Sequence, residues 1–210
     1  MMTKVYLLNH VSTVVDQSHP PRLQGSQLNL IPSKQGIDQA RALQTLFANE
    51  PISACYTSPL LRALITAKIV SHPHNIHPIT LPELSECDLG LWEGMDWQQI
   101  RFFDSCNYLR FFGSPQSYQF PLGESIEHAR QRIVSTMSNL LLAHSGQTTI
   151  VVSHPLISWL YLSHLQAKPL EVQAILQCPN LVIAALITEC SGLIQVESNH
   201  HFTLSSTVAA

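Results

Sequence analysis

Apolar and polar positions along this chain alternate between short runs with strand character and longer runs with helical spacing. Val5-Tyr6-Leu7-Leu8 is a continuous apolar run, the pattern of a strand covered on both faces. A mostly polar stretch with Pro20, Pro21, Gly25 and Pro32 follows, from Asn9 to about Ser33. It is longer than a simple connector, and long loops of that kind are often functional. Ser33 has the character of an N-cap, after which Ile37, Ala40, Leu43 and Phe47 recur at helical spacing. Ile52 to Thr57 reads as a second strand, and Leu60 to Val70 as a helix opened by Pro59. Ile76 to Leu81 suggests a short third strand.

The irregular, aromatic-rich stretch from Glu83 to Gly123 predicts one short helix near Trp97 to Phe103. Glu124 to Ala143 follows as a long helix, with Ile126, Ile133, Met137 and Leu140 broadly on one side. Thr148 to Val152, all β-branched, is the clearest strand in the chain. Pro155 opens another helix, and Leu181–Thr188 with Leu193–Val196 reads as a final hairpin. The residues from about Thr203 carry little structural signal.

Strands alternating with helices predict an α/β fold, a three-layer α/β/α sandwich around a mostly parallel central sheet. The 210 residues suit one domain spanning 1–210. Ligands of such sheets gather at the carboxyl ends of the strands. Three polar groups fall there: Asn9-His10, Ser58 to Arg62, and Ser153-His154.

Composition narrows the function classes. Apolar residues make up 45% of the chain and charged ones 12%, which argues against disorder. A formal net charge of -3 provides no general basic field, so neither nucleic acid nor an anionic membrane is an expected partner. No apolar run approaches the ~20 residues that span a bilayer, and the N-terminus reads as a strand, not a signal peptide. Five scattered cysteines without a CxxC pair fit free thiols in a reducing compartment, so a cytoplasmic location is expected.

Five segments in order resemble the blocks of the histidine phosphatase (phosphoglycerate mutase-like) superfamily. VYLLNHVST resembles its LxRHGxT opening and SPLLRALITA its arginine-containing second block. LSECDLGLWEG resembles the block that holds the family's acid, PLGESIEHARQRI a PxGES helix start, and IVVSHPL the final VSHGG block. Together they cover roughly Val5 to Leu156. The resemblance implies that His10 is the phosphoryl-accepting nucleophile, Arg62 and His154 are phosphate ligands, and Glu86 is the proton donor. It implies neither cofactor nor metal. The expected partner is a small phosphorylated metabolite: a sugar phosphate, a nucleotide-related ester or the phosphate removed late in cobalamin assembly.

The residue types suit that chemistry. An imidazole attacks phosphorus only when the attacking nitrogen is unprotonated, and its other N–H needs an acceptor. Negative charge spread over equatorial oxygens favours a guanidinium such as Arg62. His154, if protonated, would add a second cation. Glu86 could protonate a leaving alkoxide if burial raised its pKa.

Three positions depart from the family's blocks: Asn9 replaces arginine, Val11 replaces glycine and Pro155 replaces glycine. Asn9 keeps a donor but loses a charge and a bidentate fork. Losing one preorganised donor to a developing oxyanion costs ~2.7–4 kcal/mol in well-studied cases. A β-branched Val11 would disfavour positive φ or close approach to phosphate, and Pro155 removes an N–H beside His154. Arg22, in RLQG, is a further phosphate-binding candidate able to restore the charge. The departures motivate a second expectation: a catalytically impaired member that binds a phosphorylated ligand or a protein.

Other features carry plainer readings. His72, His74 and His77 lie in a Pro-containing turn without a carboxylate and read as solvated, not as a metal site. The chain has no GxSxG around Ser153, which argues against a serine hydrolase. Trp92, Trp97, Phe102, Phe103, Phe111 and Phe112 suit substrate cover, core packing or a subunit contact equally. A homodimer is compatible with the last of these.

Overall fold

A computed structural model of the chain describes residues 2–167, 183–190 and 193–197. Four parallel strands come from the apolar runs: β1 (Thr3–Asn9), β2 (Ile52–Thr57), β3 (Ile79–Thr80) and β4 (Thr148–Ser153). β5 (Ile183–Cys190) and β6 (Leu193–Glu197) add an antiparallel pair, giving the order β3-β2-β4-β1-β5-β6. The helices are α1 (Lys34–Phe47), α2 (Leu61–Ser71), α3 (Trp97–Phe103), α4 (Ser105–Gly113), α5 (Ile126–Ala143) and α6 (Pro155–Leu165). The first two residues of the predicted hairpin, Leu181 and Val182, and the tail from Thr203 lie outside the described residues.

Strand periodicity explains the layers. Val5, Leu7 and Val151 pack against Ile133 and Met137 of α5 and Ile157 and Leu160 of α6. Their neighbours Leu8, Ile150 and Val152 turn to the opposite face, meeting Ala40, Leu43 and Phe47 of α1 and Ala63, Ala67 and Val70 of α2. The sheet is therefore covered on both sides, as the uninterrupted apolar runs require, and the expected α/β/α sandwich is present.

Local signals set the helix starts. The Ser33 side chain caps α1 by accepting from Gly36 N–H, and Asp96 with Gln99 forms a capping box for α3. Gly36 is required by proximity, because a Cβ there would lie 2.1 Å from the Ser12 carbonyl oxygen. The aromatic segment yields one helix more than predicted, α4. Its Phe111 joins Trp92, Trp97, Phe112, Tyr118 and Phe120 in a cluster that extends the core. The Trp92 indole N–H donates to Asp104 (3.0 Å). Phe102 and Phe103, by contrast, are exposed.

Candidate active site

The carboxyl ends of β1, β2 and β4 are aligned by their register, with Asn9 paired to Ser153 and Thr57 to Val152. Two backbone bonds continue the ladder past the strand ends: His10 N–H to Ser153 O and Ser58 N–H to Val152 O, both 3.0 Å. His10, the start of α2 and His154 are thereby brought together at the carboxyl end of the sheet. The rings of His10 and His154 have centroids 5.1 Å apart.

His10 is buried, and its Nδ1 lies 2.9 Å from the Val11 carbonyl oxygen. A carbonyl can only accept, so Nδ1 carries the proton and Nε2 keeps its lone pair. Burial, followed by the field of Arg62, lowers the His10 pKa to about 4, against the opposing pull of Asp16 and the Val11 carbonyl. The imidazole is thus neutral at pH 7, with the free nitrogen a nucleophile needs.

His154 is the N-cap residue of α6 and is fully buried. Both ring nitrogens lack a hydrogen-bond partner among the described residues. Burial, then Arg62 and His10, hold its pKa well below the ordinary value. The cationic His154 considered from sequence is therefore a neutral donor here. Two unpaired buried nitrogens on one imidazole are costly unless a polar ligand satisfies them.

Arg62, in the first turn of α2, is buried among loop carbonyls. Its Nη2 donates to Gly25 O (2.9 Å) and its Nη1 to Leu28 O, while Nε has no partner among the described residues. Burial lowers its pKa, and Glu86, Asp16 and Glu93 oppose that shift. It remains the site's charged group. The same loop caps α2, through Asn29 Oδ1 accepting from Leu61 N–H (2.7 Å).

Glu86 is buried, and its two oxygens accept from Cys87 N–H (2.8 Å) and Leu156 N–H (3.2 Å). Burial pushes its pKa up to about 7, although those two amides, Arg62 and Arg132 all favour the charged form. A carboxyl titrating near neutrality is suited to proton transfer.

The departures from the family's blocks have local explanations. Val11 has no positive φ, and its side chain fills the core beside Ala63 and Ala67 while its N–H reaches Thr66 Oγ1 (3.2 Å). Pro155 occupies the first helical position, and Leu156 immediately after it supplies the N–H that Glu86 uses. Asn9 is buried with Oδ1 accepting from the Ser158 hydroxyl (2.7 Å).

Arg22 is not part of this group. It is exposed and its guanidinium makes no hydrogen bond or ion pair with any described residue. The physical reason is the pinning of Leu23, whose N–H donates to Met95 O and whose carbonyl accepts from Gly94 N–H. Leu23 packs on the core, whereas Arg22 beside it stays exposed.

Three supporting residues were not singled out from the sequence. Asp16 accepts from Thr13 N–H (2.7 Å) and from Gln24 Nε2 (2.7 Å), tying the two ends of the long loop. Glu93 accepts from Gly25 N–H (2.9 Å) and Gln27 N–H (3.1 Å), clamping the loop whose carbonyls hold Arg62. Ser158 is the third. The Glu93 and Ser158 bonds span 66 to 149 residues, separations that no short motif encodes, whereas the Asp16 bonds are local to its loop. His72, His74 and His77 form no cluster with other ligating groups, and no set of three such residues converges among the described residues.

A neutral imidazole, a buried guanidinium and a near-neutral carboxyl at the carboxyl end of a doubly covered sheet define an α/β protein equipped to receive an anion. The histidine phosphatase superfamily (branch 1) matches residues 6–199, and the chain belongs to that family. A phosphoserine phosphatase 1 from Hydrogenobacter thermophilus is 28% identical over 153 residues, 73% of this chain and 71% of that protein. An adenosylcobalamin/alpha-ribazole phosphatase from Salmonella typhimurium is 28% identical over 65% of this chain and 68% of its own length. The solved structure of YhfR from Bacillus stearothermophilus matches with a TM-score of 0.80 at 27% identity, covering 93% of this chain and 96% of that one.

Proposed function

We propose that the protein hydrolyses the phosphoric monoester of a small metabolite through a phosphohistidine on His10. The observation that carries this reading is the His10 Nδ1–Val11 carbonyl bond, which leaves Nε2 unprotonated at the carboxyl end of the sheet beside His154. Arg62 Nε, His154 and the Asn9 amide are the donors for the phosphoryl oxygens. In the first step Nε2 bonds to phosphorus as the ester P–O bond breaks, and the leaving alkoxide takes the Glu86 proton. In the second step water attacks phosphorus, Glu86 takes a proton back and the Nε2–P bond breaks, releasing phosphate. These side chains supply each proton and charge in the scheme, so turnover is expected to persist in EDTA.

Relatives named for phosphoserine and alpha-ribazole phosphatase activities support a small phosphorylated metabolite as the substrate class. We place the reaction in the cytoplasm, a reading supported by the free buried thiols of Cys55 and Cys87.

The direct test is turnover of a generic aryl phosphate in EDTA, with trapping of labelled phosphate on the protein. Label on wild type and none on His10→Ala is the expected result. No turnover above the His10→Ala background would sink the hydrolase reading.

One observation favours a second reading. With both imidazoles neutral and Asn9 in place of an arginine, Arg62 alone supplies positive charge among the proposed phosphate ligands. A site of that kind could bind a phosphorylated ligand without turning it over. Phosphate binding without phosphohistidine would select this reading. Asn9→Arg should then bring no activity, whereas a damaged catalytic site should gain about 10²-fold.

A further inference from the structure

Ser158 is a buried hydroxyl on α6 that the reaction scheme leaves unused. It lies one helical turn beyond His154, and its backbone N–H donates to the His154 carbonyl (2.9 Å). Its Oγ is 2.7 Å from Asn9 Oδ1, across 149 residues of sequence, and both residues are buried. Asn9 stands immediately before the proposed nucleophile, at the end of β1.

An asparagine amide has a donor end and an acceptor end of nearly equal size, so only its partners decide which end faces a ligand. Here the acceptor end is occupied by the Ser158 O–H. No described residue accepts from Nδ2, and Nδ2 is not among the sealed, unpaired side-chain atoms. The opposite orientation would direct carbonyl lone pairs at a phosphoryl oxygen. We propose that Ser158 is a positioning residue that fixes the Asn9 amide with its Nδ2 donor towards the phosphoryl group. Helix α6 then contributes twice to anion binding, directly through His154 at its start and indirectly through Ser158 one turn on. A neutral donor held in this way takes the place of the family block's arginine.

The inference rests on the proposed phosphate site at His10, Arg62 and His154. Its test is equilibrium binding of inorganic phosphate by calorimetry, which needs no turnover, on wild type, Ser158→Ala, Asn9→Ala and the double variant. Ser158→Ala should weaken phosphate binding about 10-fold, and Asn9→Ala by a similar factor, the size of one lost hydrogen bond. The double variant should bind no more weakly than Asn9→Ala alone, because Ser158 acts only through the amide. Where turnover is measurable, KM should rise more than kcat falls. Unaltered binding in Ser158→Ala would overturn the positioning role, as would a Ser158→Ala loss of equal size in the Asn9→Ala background. Should Ser158→Ala not fold, Ser158→Cys, which fills the same space but is only a weak donor, reads the same coupling in both backgrounds. Failure of wild type to bind phosphate would overturn the site itself, and the positioning role with it, a result distinct from the other two.

Discussion

Glu86 and Leu156, 70 residues apart in sequence, meet through a 3.2 Å hydrogen bond from the Leu156 N–H to Glu86 Oε2. The donor is one of the N–H groups that a helix start leaves without an intrahelical partner. It belongs to the residue after Pro155, so the proline leaves this bond intact: the N–H it lacks is not the one that Glu86 uses. The carboxyl is also buried, and burial outweighs the bond in setting its pKa near 7.

Two limbs are therefore expected in the pH dependence of kcat/KM. Activity falls as pH rises through about 7, where Glu86 loses the proton it must deliver, and falls again below about 4, where His10 becomes charged. Glu86→Gln should lower kcat by about 10²–10⁴-fold and abolish the upper limb. A variant that keeps the wild-type profile would remove Glu86 from the proton-donor role.

Stability carries the same titrations. Glu86 has a raised folded pKa, so its contribution is lost as pH rises from 4.5 to about 7. His10 has a lowered folded pKa, so its contribution is lost as pH falls from 6.5 to about 4. The two oppose each other across the overlap. Urea unfolding at fixed pH values should show Glu86→Gln gaining stability relative to wild type between pH 4.5 and pH 7. A constant difference across that window would contradict the shift.

Val11→Gly, although it restores the residue type of the family's block, should damage the protein. Val11 is fully buried with Ala63, Ala67 and Leu8 and has no positive φ for glycine to relieve. Removing the side chain and loosening the backbone should cost about 2–4 kcal/mol. Denaturant midpoints measure the loss, and kcat should not increase.

Gly25→Ala should displace the loop that surrounds Arg62. A Cβ there would lie 2.1 Å from Glu93 Oε1 and 2.6 Å from the Cys87 carbonyl oxygen. Forcing these apart typically costs about 1–3 kcal/mol, and it shifts the carbonyl that accepts from Arg62 Nη2. Phosphate affinity should fall at least about 10-fold. Wild-type affinity in this variant would show that the loop does not set the guanidinium.

Much of the architecture was legible in the one-dimensional pattern. The apolar runs at Val5–Leu8 and Thr148–Val152 match β1 and β4, and Ser33, Pro59 and Pro155 mark helix starts within a residue or two. These signals are local, because strand and helix periods act over a few residues. Helix α4 carries no comparable local signal, because its apolar side chains serve an aromatic cluster assembled from Trp92, Phe111 and Phe120, whose mutual contacts are distant in sequence.

The site divides along the same line. Ordered blocks around His10, Arg62, Glu86 and His154 point to the proposed chemistry, because residue type and short spacing carry it. They could not show that Arg22 is exposed, that Val11 is core, or that Asn9 is held by Ser158 149 residues later. Nor could they set the charges: burial makes His154 neutral and Glu86 half-protonated near pH 7. Chain order nominates the candidate reacting groups; desolvation and long-range hydrogen bonds, which exist only once the sheet has closed its two faces, set their protons and orientations.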